Sequence, residues 1–189
     1  EALQQEKYDQ ALQYMLKEYK KNQVNGYACA WIAQLTQDSS ENWNADQWAN
    51  AALMLLPKTD NKTRSDMYVV LAKKENEKEA EEKANVYFET AIKLDSNNIN
   101  AYEEKFLQIE EQEETVGKYS RKNYLKMTEN ICNKILRIDK NNLWVYYTLA
   151  STYEQQYSMD NDFWDRKPTK AELEKCKREK EVAIKNYNI

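Results

Sequence analysis

The stretch Ala84–Asn98 reads ANVYFETAIKLDSNN, and Asn133–Asn142 reads NKILRIDKNN. Each stretch is the end of an amphipathic helix followed by a turn of the form Asp-x-Asn-Asn. An aromatic-bearing segment with helical spacing follows each turn, as expected where one helix stops and another starts. We therefore interpret both stretches as joints between consecutive helices.

The composition predicts a folded, all-helical chain. Of the 189 residues, 41% are hydrophobic and 12% are aromatic, which is too apolar for a disordered chain. Only two glycines and two prolines are present. Because sheets need turn residues at short, regular intervals, this scarcity favours helices over strands.

Several functional classes lack support in the residues. A net charge of −4 provides no concentrated basic surface for nucleic acid. Histidine is absent, and Cys29, Cys132 and Cys176 match neither a disulfide framework nor a metal site. We find no catalytic, cofactor or metal constellation, and no apolar run near the length that would insert into a membrane. Because the chain opens at Glu1 without Met, we expect a trimmed terminus, and the compartment (cytoplasm or bacterial periplasm) stays open.

An internal repeat runs outward from the first joint. One block covers Ser65–Asn98, and the next begins at Ile99, so the period is 34 residues (99 − 65 = 34). Within the block, the pattern-forming residues are Tyr68, Leu71, Ala72, Ala84, Phe88 and Ala91. This order of an aromatic, a large-small pair and Ala-x3-Phe-x2-Ala resembles the tetratricopeptide repeat, whose period is about 34 residues.

The resemblance extends over nearly the whole chain, with modifications. Upstream, a block running to Pro57 carries Ile32-Ala33 as its large-small pair and alanines at 45, 49 and 52. Residues 58–64 are interpreted as a long turn. Downstream, the last block begins at Leu143, so about ten residues have been added (143 − 99 = 44). Phe106 stands where the family has a small residue, which predicts a splayed third helix pair.

The predicted architecture is therefore an all-α, right-handed superhelix of stacked antiparallel helix pairs, with about nine helices. It forms a single domain, in which a leading half repeat (1–25) precedes four helix pairs (26–64, 65–98, 99–142 and 143–189). The last helix is expected from Ala171 to about Tyr187. Stacking is necessary because one short helix pair cannot bury its apolar stripe alone.

The resemblance implies that the first helix of each pair lines a concave groove that binds peptides or proteins. The residues projected onto that groove are Tyr27, Trp31, Gln34, Val69, Lys73, Glu103, Leu107, Glu110, Trp144, Tyr147 and Ser151. Phe163 and Trp164 lie on an insertion and are a candidate loop contact. Packing of Trp31 and Trp144 against neighbouring helices, and capping of the last pair by the Phe163-Trp164 loop, are the competing interpretations.

The sequence thus predicts a non-catalytic scaffold for protein interaction. Its partner would be a protein or peptide segment with aromatic or apolar anchors and basic residues. Two alternatives stay open. The chain could be an accessory or regulatory segment of a larger enzyme or of an envelope or secretion-related protein. It could also be a structural module that associates with itself.

Overall fold

The computed structural model describes residues 2–38, 44–116 and 121–158, together with six helical residues between 170 and 181. All regular structure in these ranges is α-helical, which confirms the all-helical prediction. The helices with described bounds are α1 (Ala2–Lys21), α2 (Gly26–Thr36), α3 (Ala45–Leu55), α4 (Asn61–Asn76), α5 (Glu81–Leu94), α6 (Ile99–Val116), α7 (Arg121–Ile138) and α8 (Leu143–Ser158). Most of the predicted last helix lies outside the described residues.

The chain divides into two compact units, Glu1–Lys105 (unit 1) and Phe106–Ile189 (unit 2), with the boundary inside α6. In unit 1 each of the helices α1 to α4 packs against the next one, and α2 also packs against α4. In unit 2, α7 packs against α8. The contact between α2 and α4 brings two of the predicted first helices together within unit 1.

Small side chains let the helices of unit 1 approach closely. The predicted small positions Ala33, Ala52 and Ala72 are all 0% exposed. At the start of α2, a Cβ added to Gly26 would lie only 2.9 Å from the backbone nitrogen of Leu56. Since a real Cβ does not approach backbone this closely, the glycine is required by the contact between α2 and the end of α3.

The Ala-x3-Phe-x2-Ala pattern forms a core, as predicted. Ala84, Phe88 and Ala91 on α5 are at most 1% exposed, and they pack with Ala72 and Ala101. On α7 of unit 2, the equivalent residues Thr128, Cys132 and Ile135 are all 0% exposed. Both helices therefore bury three residues that the helical period places on one face.

Four joints, which precede α2, α4, α6 and α8, share one hydrogen-bond pattern. In each joint, the backbone N–H of the residue before the helix donates to the carbonyl three residues earlier: Asn25 to Asn22, Asp60 to Pro57, Asn98 to Asp95, and Asn142 to Asp139. The side-chain oxygen of that same residue accepts a backbone N–H three residues later, at 3.1–3.2 Å. These side chains are N-caps, which satisfy an otherwise unpaired donor at the helix start.

The two joints identified from the sequence share a further contact. The hydroxyl of Tyr102 donates to the carbonyl of Ser96 at 3.3 Å, and that of Tyr146 donates to the carbonyl of Lys140 at 2.8 Å. In both cases the tyrosine lies four residues after the cap and reaches back over the turn. The aromatic residue after each Asp-x-Asn-Asn turn therefore ties the new helix to its own joint.

The prediction of a long turn over residues 58–64 is wrong. Helix α4 begins at Asn61, and Asp60 caps it by accepting the backbone N–H of Thr63 at 3.1 Å. The turn is therefore short, and α4 is about one turn longer than expected. The charged and polar run KTDNKTR obscured the cap, because it carries no apolar residue to mark where the helix starts.

Candidate functional site

The α2 face, defined here as Tyr27, Trp31, Gln34 and Asp38, carries two exposed aromatic side chains of unit 1 on one helix. These residues follow one another at intervals of four, three and four, so they share one side of the helix and its C-terminal turn. Tyr27 is 49% exposed and Trp31 is 54% exposed, whereas the opposite side of α2 is buried in the core. Trp31 is therefore about half open to solvent and is not enclosed by neighbouring helices.

Asp60 lies at the amino-terminal end of the α2 face. Its carboxylate accepts a hydrogen bond from the Tyr27 hydroxyl, and this bond, followed by burial and the charge of Asp60, raises the pKa of Tyr27. The pKa of Asp60 is lowered, first by the backbone N–H of Thr63 and further by Tyr27 and the charge of Arg64. Asp60 thus remains ionised while it caps α4 and orients the Tyr27 ring.

Lys73 connects three of the helices of unit 1. Its ammonium lies 2.9 Å from a carboxylate oxygen of Asp38, after α2, and 2.9 Å from one of Glu104, on α6. The side chains of Lys73 and Glu104 are only 19% and 20% exposed, whereas Asp38 is 70% exposed. Burial lowers the pKa of Lys73, but the hydrogen bonds and charges of Asp38 and Glu104 outweigh it and raise the pKa. The lysine therefore stays charged and holds two carboxylates together.

Val69 does not lie on an accessible surface, so its assignment to the groove is wrong. It is 1% exposed and belongs to the core formed with α5 and the start of α6. Its neighbour Val70 is equally buried, but in the cluster shared with α2 and α3. Helix α4 packs against neighbours on two sides, so two adjacent valines are buried in different cores.

The remaining predicted residues differ in accessibility. Glu103 of unit 1 is half-buried, and so are Glu110 and Ser151 of unit 2. Leu107 and Tyr147 of unit 2 are 46% and 65% exposed. Trp144 is half-buried and packs edge-on against Phe106, with ring centroids 5.3 Å apart. Phe163 and Trp164 lie outside the described residues.

A buried polar network, which the sequence did not predict, connects α4 to the joint before α6. The Asn98 amide donates to Ser65 Oγ at 2.9 Å and to Asp66 Oδ1 at 2.8 Å. Ser65 in turn donates to the carbonyl of Ala91 at 2.8 Å. Only Asn98 carried a sequence signal, namely its recurrence as Asn142 in the second joint. This network fixes the start of α6, and therefore Glu104, relative to α4.

Asp66→Asn is expected to raise the stability of the chain at neutral pH. Burial, together with the charges of Asp95 and Asp60, raises the pKa of Asp66 despite the Asn98 hydrogen bond and the charge of Lys62. A raised folded-state pKa means that the native state binds more protons than the unfolded chain. Wild-type stability therefore falls as pH rises from about 3.9, the usual value for Asp, through the folded pKa.

The asparagine keeps the oxygen that accepts from Asn98 but carries no charge. We expect a higher melting temperature than wild type at pH 7, by a few degrees, and a smaller difference near pH 4. Thermal unfolding followed by circular dichroism across this range measures both. A variant that is less stable at pH 7, or a difference that does not depend on pH, contradicts the prediction.

Among the described residues, no three His, Cys, Asp or Glu side chains lie together so that they could hold a metal ion. None of the described helices has both the length and the apolar character needed to cross a membrane. The described cysteines, Cys29 and Cys132, are buried thiols outside any disulfide bond, and burial raises the pKa of Cys29.

No protein-family model and no curated protein sequence matches the chain. Its fold is similar to a crystal structure of MamA, with a TM-score of 0.61 at 15% identity, over 98% of this chain and 91% of that chain. A second crystal structure of MamA protein gives a TM-score of 0.58 at 14% identity, over 98% and 85% of the two chains. These similarities show the fold alone, which is an all-helical, tetratricopeptide-like repeat fold.

Proposed function

We propose that the chain is a non-catalytic scaffold that binds a peptide or protein segment through its first helices, with the α2 face as the principal contact in unit 1. The observation that carries this proposal is the exposure of Tyr27 and Trp31, side by side on one helix. Large aromatic side chains contribute most of the binding energy at many protein interfaces. Leaving two of them in water is unfavourable for an isolated chain, and a partner that covers them recovers the hydrophobic gain.

The surroundings of this face support recognition rather than catalysis. Asp60 orients Tyr27, and Lys73 ties Asp38 to Glu104, so the charged groups hold the surface in a fixed arrangement. A prearranged surface loses less conformational entropy when a partner binds. Acid–base catalysis, by contrast, needs groups whose pKa values are moved toward the working pH, and Asp60 and Lys73 are both shifted away from neutrality.

Trp31→Ala is expected to reduce partner binding by about tenfold or more, while the helical content stays unchanged. A photoreactive amino acid placed at Gln34, on the α2 face, should cross-link the partner in extracts of the source cells. The same group at Gln13, an exposed position on α1, serves as the positional control. Tyr14→Ala is the matched substitution, since Tyr14 is 59% exposed but lies on α1.

The proposal is supported by a cross-link at position 34 that Trp31→Ala removes and Tyr14→Ala leaves intact. Equal cross-linking from positions 34 and 13, or a cross-link that is insensitive to Trp31→Ala, contradicts it. A cross-linked species with twice the mass of the chain would instead support self-association. Light scattering over a concentration series then tests whether the chain forms a dimer without the cross-linker.

A further inference from the structure

We infer that the α2 face recognises a basic, extended segment, in which two cationic residues four positions apart flank an apolar residue. This inference rests on the proposed function and specifies the chemistry of the partner at the same surface. It follows from three properties of the α2 face: the sign of its available charge, the spacing of Tyr27 and Asp38 along the chain, and the aromatic surface between them. Each property concerns unit 1 alone.

The available charge on the α2 face is negative. Lys73 carries the positive charge beside it, and both of its close contacts, at 2.9 Å, are to the carboxylates of Asp38 and Glu104. An acidic partner would have to displace one of these carboxylates to reach the lysine. The group of three therefore has a net charge of −1, and Asp38, 70% exposed, can still accept hydrogen bonds from a cationic partner.

A second carboxylate lies at the other end of the face. Asp60 is in contact with the Tyr27 hydroxyl and remains ionised, since its pKa is lowered. Its Oδ1 atom accepts the backbone N–H of Thr63. Arg64 contributes its charge to lowering that pKa, but its Nη1 atom donates to the carbonyl of Leu53 at 2.8 Å. Asp60 is half-buried and Arg64 makes this bond elsewhere, so the inference requires a cationic residue of the partner to reach the exposed part of Asp60.

The spacing of Tyr27, the residue in contact with Asp60, and Asp38 fits an extended segment. Tyr27 and Asp38 are eleven positions apart, which corresponds to about 16 Å at the rise of an α-helix. In an extended strand, residues i and i+4 are about 13 Å apart and their side chains point to the same side. Two arginines or lysines at this spacing can reach Asp60 and Asp38 with their long side chains. The residue halfway between them then lies over Trp31.

The aromatic surface favours the same pattern. Trp31 is 54% exposed, so its ring presents apolar area to a side chain such as leucine. Its face is also a favourable neighbour for a guanidinium, because the ring quadrupole attracts cations. An acidic segment lacks the interaction of a cation with the ring and meets carboxylates at both ends. The charge of the α2 face and the position of its aromatic ring therefore both favour a segment with the order basic–apolar–basic.

The test uses the whole chain and four short peptides whose ends are acetylated and amidated. The first peptide, Arg-Ser-Leu-Ser-Arg, has the inferred spacing, and Arg-Arg-Ser-Leu-Ser has the same composition with adjacent arginines. Glu-Ser-Leu-Ser-Glu and Gln-Ser-Leu-Ser-Gln reverse and remove the charge. Titrations followed by nitrogen-15 NMR give the dissociation constants. We expect the first peptide to bind about tenfold more tightly than the acidic peptide, and about threefold more tightly than the rearranged one.

Substitutions in the chain separate the contributions. Trp31→Ala should weaken binding of the first peptide about tenfold, whereas Tyr14→Ala should leave it unchanged. Asp38→Asn should weaken it about threefold, and should weaken the neutral peptide far less. Glu82→Gln, at an exposed position on α5, removes the same charge elsewhere and serves as the control.

Three outcomes overturn the inference. The first peptide shows no detectable binding, the acidic peptide binds as tightly as the first peptide, or the binding of the first peptide is insensitive to Trp31→Ala. If the acidic peptide binds in a manner that depends on Trp31, the α2 face is a binding surface of a different chemistry, and the proposed function stands. If no peptide binds while the cross-link at position 34 depends on Trp31, the inference alone fails. If no peptide binds and the cross-link at position 34 does not depend on Trp31 either, the proposed function is wrong as well.

Discussion

Asn98→Ala is expected to lower the free energy of unfolding by about 2–4 kcal/mol, whereas Asn142→Ala, at the same position of the second joint, should lower it by about 1 kcal/mol. Both substitutions remove an N-cap, whose acceptor bonds are 3.2 Å to Ala101 N and 3.1 Å to Val145 N. Only Asn98 also donates to Ser65 and Asp66 from a buried position. The difference between the two variants therefore measures the buried network.

Aspartate substitutions at the same two positions separate the cap from the network. Asn142→Asp keeps an acceptor and places a negative charge at a helix start, so it should be neutral or slightly stabilising. Asn98→Asp keeps the acceptor but loses the donor and places a second carboxylate beside Asp66, 2.8 Å from the present amide nitrogen. It should therefore be strongly destabilising.

Urea unfolding measures the stability of all four variants. Because the chain has two compact units, amide exchange at Ala101 and Val145 gives the local effect at each joint. Asn98→Ala should increase exchange near Ala101, and Asn142→Ala near Val145. Equal losses of stability at the two positions would show that the contacts with Ser65 and Asp66 add nothing to the cap.

The sequence predicted those parts of the fold that depend on one helix at a time. Ala84, Phe88 and Ala91 were expected on one buried face from their helical spacing and from the resemblance to the repeat, and they are buried. The joints at Asp95–Asn98 and Asp139–Asn142 were recognised because both use the same residue types. The joint at Asn22–Asn25 makes the same two bonds but was missed, since Gln-Val stands between its asparagines. This joint therefore has the same hydrogen-bond geometry as the other two, although the side chains before Asn25 are different.

The candidate site was less predictable, because accessibility depends on neighbouring helices. Trp31 and Trp144 both lie on predicted first helices, yet Trp31 is exposed and Trp144 packs on Phe106. Val69 was misassigned because α4 buries residues in two cores, one shared with α2 and α3 and the other with α5. The Lys73 contacts with Asp38 and Glu104 join residues 35 and 31 positions apart (73 − 38 = 35; 104 − 73 = 31). No spacing rule within one helix can predict such contacts.

Phe106→Ala is expected to lower the free energy of unfolding by about 3–5 kcal/mol, although it restores the small residue that is typical of the repeat. Phe106 is 2% exposed, and its ring packs edge-on against Trp144 at 5.3 Å with planes 80° apart. The aromatic side chain therefore fills space in unit 2, and truncation would leave a cavity. Phe88→Ala is the matched control, since Phe88 is 1% exposed at a regular position of the repeat.

A double-mutant cycle of Phe106→Ala with Trp144→Ala should give a coupling of about 0.5–1.5 kcal/mol, the value typical of aromatic pairs. Urea unfolding of the four variants supplies the numbers. If Phe106 were an oversized residue forced into a close contact, the alanine variant would instead gain stability, by about 1–3 kcal/mol. The splaying predicted for the third helix pair (residues 99–142) is a wider separation of its two helices, in which longer helices make room for the Phe106 side chain. If Phe106 is a well-packed core residue, its alanine variant should therefore lose as much free energy of unfolding as Phe88→Ala does.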